Sequence, residues 1–164
     1  SAGRFGTLHG HVSRQNPQNG LFNNAQPAVI VFRGPPAYIS PTWYAKMGTV
    51  PTWNFAVVHA TGKLRAVTEK KELKALLARL IGKFEASKAY DFSKVPDDVI
   101  DVMMNGIVGF EMEIEQLEGK FKLGQERKPE DRAGILRNLK ARKKERSIEE
   151  FTAAFYDFLG HTTP

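Results

Sequence analysis

From Thr7 to about Thr68 the chain alternates short apolar runs with clusters of Pro, Gly and Asn. The runs TLHGHV, AVIVFRG, AYIS and WNFAVVHATGKLRAV are rich in β-branched and aromatic residues, as strands are. Between them NPQNGLFNNAQP reads as a loop. The four prolines of RGPPAYISPTWYAKMGTVPTWN confine that stretch to edge strands or ordered loop. The period then changes. Leu73, Leu76, Leu77, Leu80, Ile81 and Phe84 recur at three- and four-residue spacing, which predicts a helix with one apolar stripe, N-capped by Thr68. A shorter helix is expected through PDDVIDVMMN, opened by Pro96 and its aspartates and ended at Asn105-Gly106.

Strand character returns in IVGFEMEIEQLEGKFKLG. There Phe110, Met112 and Ile114 alternate with Glu111, Glu113 and Glu115, giving one buried and one wet face, and Gly119 marks a bulge or a close approach. Two helices close the chain. One begins at PEDRAGILRNL; the other begins at Ser147, which forms a capping box with Glu150 ahead of Phe151, Phe155, Phe158 and Leu159. This order implies a barrel with helical decoration.

A length of 164 residues, 41% hydrophobic and 26% charged, fits one globular domain with a real core. Cysteine is absent, which removes disulfides, thiolate metal sites and cysteine nucleophiles. No apolar run approaches the length of a membrane span, and no charged-then-apolar leader opens at Ser1. The expectation is a cytoplasmic protein, nuclear if the source is eukaryotic, with no membrane partner. A net charge of +6 and a pI near 9.6 favour anionic partners without choosing among them.

Four stretches carry candidate chemistry. In LHGHVSRQNP, His9 and His11 share one strand face, but no third ligand accompanies them, so solvated strand histidines are favoured over a metal site. Ser13, Arg14 and Asn16 offer a hydroxyl, a guanidinium fork and an amide suited to phosphate, or else form a solvated strand end. Gly10 would let a planar group lie against the backbone. In YISPTWY and VPTWNF, the aromatics Tyr38, Trp43, Tyr44, Trp53 and Phe55 could wall a flat ring or simply be core. Lys120 and Lys122 share a strand face, either as a phosphate clamp or as a solvated edge. The run KARKKER, residues 140–146, could dock nucleic-acid phosphate or be a solvated face. No nucleophile elbow, phosphate-binding loop or zinc-protease helix is present.

LHGHVSRQNPQ, FRGPPAYISPTWY, VPTWNFAVVHATGKLR, IVGFEMEIEQLEGKFKLGQ and PEDRAGI, in that order, resemble the PaiB-type family of FMN-binding transcriptional regulators. The resemblance implies a β-barrel of the FMN-binding split-barrel type with flanking α-helices, noncovalent FMN and a homodimer. It implies a single domain over 1–164, with a helical insertion at 69–105 and C-terminal helices at 129–164. It also implies that the family's N-terminal helix and first strands are absent from this chain. Carried over residue by residue, His11, Ser13, Arg14 and Asn16 would approach the flavin edge and phosphate. Ser40, Trp43, Trp53 and Asn54 would line the rest of the pocket. No metal is expected. Where the family pattern reads Lys-Leu-Ser-Gln-Asn, this chain has Gly124 and Glu126 in the third and fifth places. The function implied is a negative transcriptional regulator. Separately, the basic surface could meet DNA, and with no helix-turn-helix or other reading module that binding is expected to be nonspecific and steeply salt-dependent. The alternative is a flavin-dependent oxidoreductase acting with NAD(P)H on a small substrate.

Overall fold

The computed structural model describes residues 4–23, 26–46, 48–85, 90–142 and 146–160; the side chains of residues 146 and 147 lie outside the description. Among the described residues there are five strands: β1 (Thr7–Ser13), β2 (Ala28–Arg33), β3 (Ala37–Ile39), β4 (Thr52–Val67) and β5 (Ile107–Lys122). Four helices accompany them: α1 (Lys70–Phe84), α2 (Asp97–Asn105), α3 (Pro129–Ala141) and α4 (Arg146–Phe158). The sheet order is β1-β5-β4-β2, with β3 paired to β4. β1 on β5 and β3 on β4 are antiparallel pairs. A strand-rich antiparallel sheet with helices set between β4 and β5 and after β5 is of the split-barrel class that the sequence implies.

The chain divides into two compact units. The first comprises Ser1–Ile30 and Ala60–Leu117, the second Val31–His59 and Glu118–Pro164, so β2, β4 and β5 each contribute to both. In the first unit, β1 and β5 pair from Thr7↔Glu113 to Ser13↔Ile107. Side chains alternate between faces, and Leu8, Ala28, Ile30 and Leu64 pack around buried Ala60, Met112 and Ile114. A second cluster joins Val67 to Leu73 and Leu76 of α1 and to Ile100 and Met104 of α2. Two glycines permit this closeness. A Cβ on Gly62 would lie 2.0 Å from the Glu113 carbonyl oxygen, and one on Gly109 would lie 2.7 Å from Leu73 Cδ1.

The second unit has one core: Ala37, Ile39, Tyr44, Leu123, Ile135, Leu136, Leu139, Ile148 and Tyr156, with Trp43, Phe121, Phe151 and Phe155 against it. Phe121 stacks on Phe155 at 5.1 Å and on Phe151 at 6.3 Å. Tyr156, deep in this core, donates its hydroxyl to the Leu123 carbonyl at 2.5 Å. On α3, Gly134 admits the Trp43 carbonyl oxygen to within 2.0 Å of where a Cβ would be. Gly124 has φ +76°, a left-handed conformation that glycine adopts freely, which gives a backbone reason for glycine where the family pattern has serine.

The helix ends differ in detail from the expectation. Glu69, not Thr68, is the N-cap of α1, and it makes no side-chain capping bond. The predicted apolar stripe is buried at Leu73 and Leu76 but runs out at Phe84, which is 78% exposed. The α2 helix ends at Asn105 with Gly106 as its C-cap, as the Asn-Gly pair implies. Beyond Gly119 a close approach is found: a Cβ there would meet the Phe121 ring at 2.9 Å. The capping box at Ser147 depends on a side chain outside the described residues, as does much of the basic run 140–146.

Candidate functional site

The loop after β1 is organised by its own polar side chains. Ser13 Oγ accepts from the Gln15 amide at 3.2 Å, and Asn16 Oδ1 accepts from the Gln18 amide at 2.9 Å. Asn16 thereby caps a 3₁₀ turn over Pro17–Leu21. Asn19 Nδ2 donates to the Arg14 carbonyl at 2.6 Å. The Arg14 guanidinium turns toward the end of α2, donating from Nε to the Asn105 carbonyl at 2.7 Å and from Nη2 to the Ile107 carbonyl at 2.9 Å.

Beside this loop lies a cavity of about 460 Å³, whose walls are Val12, Leu21, Phe22, Pro27, Ala28, Val29, Ile30, Leu64 and Phe110, with the amides of Gln18 and Gln26 among them. Phe22 and Phe110 meet at 5.5 Å with their rings tilted by 59°. A cavity of this volume, mostly apolar with a few polar groups, suits a small planar ligand. Val12 and Gln18 line it and bracket the polar loop Ser13–Pro17 in sequence. The combination fits a flavin: apolar and aromatic walls for the ring, and beside them a polar loop organised by Ser13 and Asn16 for a phosphate.

Strand phase separates the first-unit residues that the sequence groups together. His9, His11 and Ser13 are exposed on one face of β1, while Leu8, Gly10 and Val12 alternate with them on the other. Val12 therefore lines the cavity, whereas His11 borders a shallow groove with Leu80, Ile81, Phe84 and Tyr90. Gly10 does admit a planar group, but that group is the chain's own Phe110, whose ring would stand 2.6 Å from an added Cβ. His9 Nδ1 lies 3.1 Å from Glu111, which also binds Arg65 at 2.7 Å. Arg65 in turn holds Glu72 at 2.6 Å and keeps that carboxyl below its ordinary range. Among the described residues no three His, Asp or Glu side chains gather as metal ligands.

Of the second-unit residues, Ser40 caps the 3₁₀ turn Pro41–Trp43, accepting from the Thr42 amide at 3.3 Å. Trp43 packs on the core, with the Arg142 guanidinium 4.6 Å over its ring. Trp53 and Asn54, adjacent on β4, take opposite faces. Trp53 is 55% exposed and meets Tyr38 edge-on at 5.8 Å, whereas Asn54 is buried and its Nδ2 has no hydrogen-bond partner among the described residues. Tyr44 lies under Arg127 at 4.6 Å; burial raises its phenol pKa, and the guanidinium partly offsets that rise. The sequence reading misses Phe22, Leu64, Phe110, Gln18 and Gln26 as cavity residues. A lone apolar pair, Leu21-Phe22, inside an Asn- and Gln-rich loop is the available signal.

Residues 1–116 match the family described as "Putative FMN-binding domain". The chain is 33% identical over 134 residues to "Protease synthase and sporulation protein PAI 2" of Bacillus subtilis (strain 168), covering 80% of this chain and 64% of that protein. An uncharacterized protein of Aspergillus fumigatus is 30% identical over 169 residues, with 80% of this chain and 65% of that protein covered. The chain thus spans a little under two thirds of the length of these relatives. Among solved structures, a putative 5-nitroimidazole antibiotic resistance protein from Bacteroides thetaiotaomicron VPI-5482 aligns with a TM-score of 0.46. Its sequence identity is 12%, over 69% of this chain and 60% of that one. The family match takes in β1 to β4, α1, α2 and every residue lining the cavity. The chain belongs to the PaiB-type family of FMN-binding domains, and its cofactor is FMN.

Proposed function

We propose that this FMN-binding chain serves as a regulatory protein, a transcriptional regulator of the negative kind, with the flavin ring held in the first-unit cavity. The observation that carries the reading is that the cavity of about 460 Å³, walled by apolar and aromatic side chains, lies within the residues of the family match. The likeness to a relative named for protease synthesis and sporulation supports the regulatory part. Val12, Phe22, Leu64 and Phe110 would hold the ring; Gln18 and Gln26 would orient its polar edge; Ser13 and Asn16 belong to the loop nearest the phosphate end. FMN, when bound, supplies reversible one- and two-electron redox chemistry. The working form in this reading is a cytoplasmic homodimer (nuclear in a eukaryote). DNA would be met by exposed Lys128, Arg137 and Lys140 of the second unit.

The test is a titration of the purified chain with FMN, followed by absorbance and fluorescence, with light scattering for mass and a duplex-binding assay across salt concentrations. Saturable FMN uptake by a dimer, with DNA affinity that falls steeply with salt, is expected. A folded chain that takes up no FMN contradicts the site. FMN-dependent oxidation of NADH or NADPH with no DNA binding would favour the oxidoreductase reading instead.

A further inference from the structure

Arg14 is the residue best suited by chemistry to hold a phosphate, since a guanidinium pairs bidentately with its oxygens. Its backbone amide and two of its three guanidinium nitrogens point elsewhere. The Arg14 amide donates to the Gly106 carbonyl at 2.8 Å, Nε to the Asn105 carbonyl at 2.7 Å and Nη2 to the Ile107 carbonyl at 2.9 Å. One residue therefore takes three successive carbonyls where α2 ends and β5 begins. The last carbonyls of a helix lack intrahelical partners and carry partial negative charge, so a cation with a planar fork satisfies both needs. From the other side, Asn19 holds the Arg14 carbonyl at 2.6 Å. Arg14 also borders a pocket of about 210 Å³ with Thr68, Lys70 and Asp101. There the Asp101 carboxylate already pairs with Lys70, so an incoming anion would meet a carboxylate.

We propose that Arg14 is a positioning residue rather than a phosphate ligand. It pins the end of β1 to the α2–β5 junction and so sets the loop Ser13–Gln18 at the edge of the flavin cavity. The proposal rests on the flavin occupying that cavity. Flavin affinity then depends on Arg14 through the geometry of the loop, not through attraction to the phosphate.

FMN and riboflavin, which share a ring and differ by the phosphate, separate the two roles. The chain, Arg14→Ala and Arg14→Lys are titrated with both, and amide hydrogen exchange across residues 103–107 is measured without ligand. A positioning role predicts that Arg14→Ala weakens both flavins by the same factor, about tenfold. The preference for FMN over riboflavin stays as it was, and exchange at 103–107 accelerates. Lysine, a single point donor, does not restore either. A phosphate ligand gives the opposite pattern: Arg14→Ala loses affinity for FMN alone, Arg14→Lys keeps most of it, and exchange is unchanged. That pattern overturns the proposal. Should Arg14→Ala fail to fold, Arg14→Lys, which keeps the charge, decides by the same ratio and the same exchange. If the unsubstituted chain binds neither flavin, the cavity assignment fails, and the ligand-free exchange still decides whether Arg14 clamps the junction.

Discussion

In the first unit Arg65 reaches Glu72 and Glu111, Lys70 reaches Asp101 and Lys74 reaches Asp97, so cations of one element meet carboxylates of another. In the second unit Arg127, Arg132 and Arg142 lie over the rings of Tyr44, Tyr156 and Trp43. The charge balance follows the same division. Eleven Lys and Arg stand against ten Asp and Glu in the first unit, and thirteen against eight in the second, so most of the net +6 belongs to the second. The packing differs as well: the first unit holds two small clusters with a cavity beside one of them, and the second holds a single larger core. A region stabilised by carboxylate pairing responds to salt and acid, whereas one whose cations rest on aromatic rings responds to loss of the rings. The unit with the cavity is also the one suited to take a ligand.

The contrast breaks most severely at the two glycines that face a backbone carbonyl oxygen 2.0 Å from where a Cβ would be. Gly62→Val and Gly134→Val each drive a side chain into a carbonyl oxygen, of Glu113 and Trp43 respectively. Each is expected to cost about 3 kcal/mol or more, read as the loss of the urea midpoint or of folding altogether. Hydrogen exchange should rise first in the unit that carries the change.

Next in size is Tyr156→Phe, which leaves the buried Leu123 carbonyl without its donor and should cost about 1–2 kcal/mol in urea unfolding. Burial raises the Tyr156 pKa above the ordinary phenol value. Its proton is therefore retained in the folded state while the unfolded chain ionises near pH 10, so stability falls as pH rises above about 10. Tyr156→Phe should flatten that alkaline loss.

Smaller effects sharpen the comparison of charges. Arg127→Gln should cost about 0.5–1 kcal/mol by removing a cation from the face of Tyr44, with little dependence on salt. Arg65→Gln should cost less still, and the difference from the unsubstituted chain should shrink in high salt, because Arg65 is exposed and its partners are only half-buried. Glu72 and Asp97 are held below their ordinary ranges by Arg65 and Lys74. Their contribution is complete above about pH 4.5 and is lost as pH falls through their folded values. Arg65→Gln should remove part of that acid sensitivity, read from unfolding midpoints between neutral and acid pH.

Elements with a strong period are legible in the sequence. β5 alternates as Phe110, Met112 and Ile114 imply, and α1 buries Leu73 and Leu76 as its stripe implies. What periodicity cannot supply is register. Gly10 reads equally well as room for a ligand or for a neighbour, and only its pairing with Phe110 on β5 decides for the neighbour. Arg14 reads as a phosphate donor because its chemistry is visible, while the carbonyls that occupy it lie more than ninety positions away in the chain. Trp53 and Asn54 sit side by side in sequence, and strand phase sends one outward and the other into the interior. The cavity itself is assembled from a loop, two short strands, the end of β4 at Leu64 and the start of β5 at Phe110, and no periodicity in the sequence brings these together.

The most direct test of the flavin cavity is to fill it. Ala28 lines the cavity, and Ala28→Phe places a ring where the flavin should lie. Because Ala28 also packs on the Ala60–Met112–Ile114 cluster, circular dichroism and urea unfolding first establish that the variant is folded. FMN fluorescence titration is then predicted to show saturable binding by the unsubstituted chain and its loss in the folded variant. Equal binding by both, or none by a folded unsubstituted chain, would contradict the account.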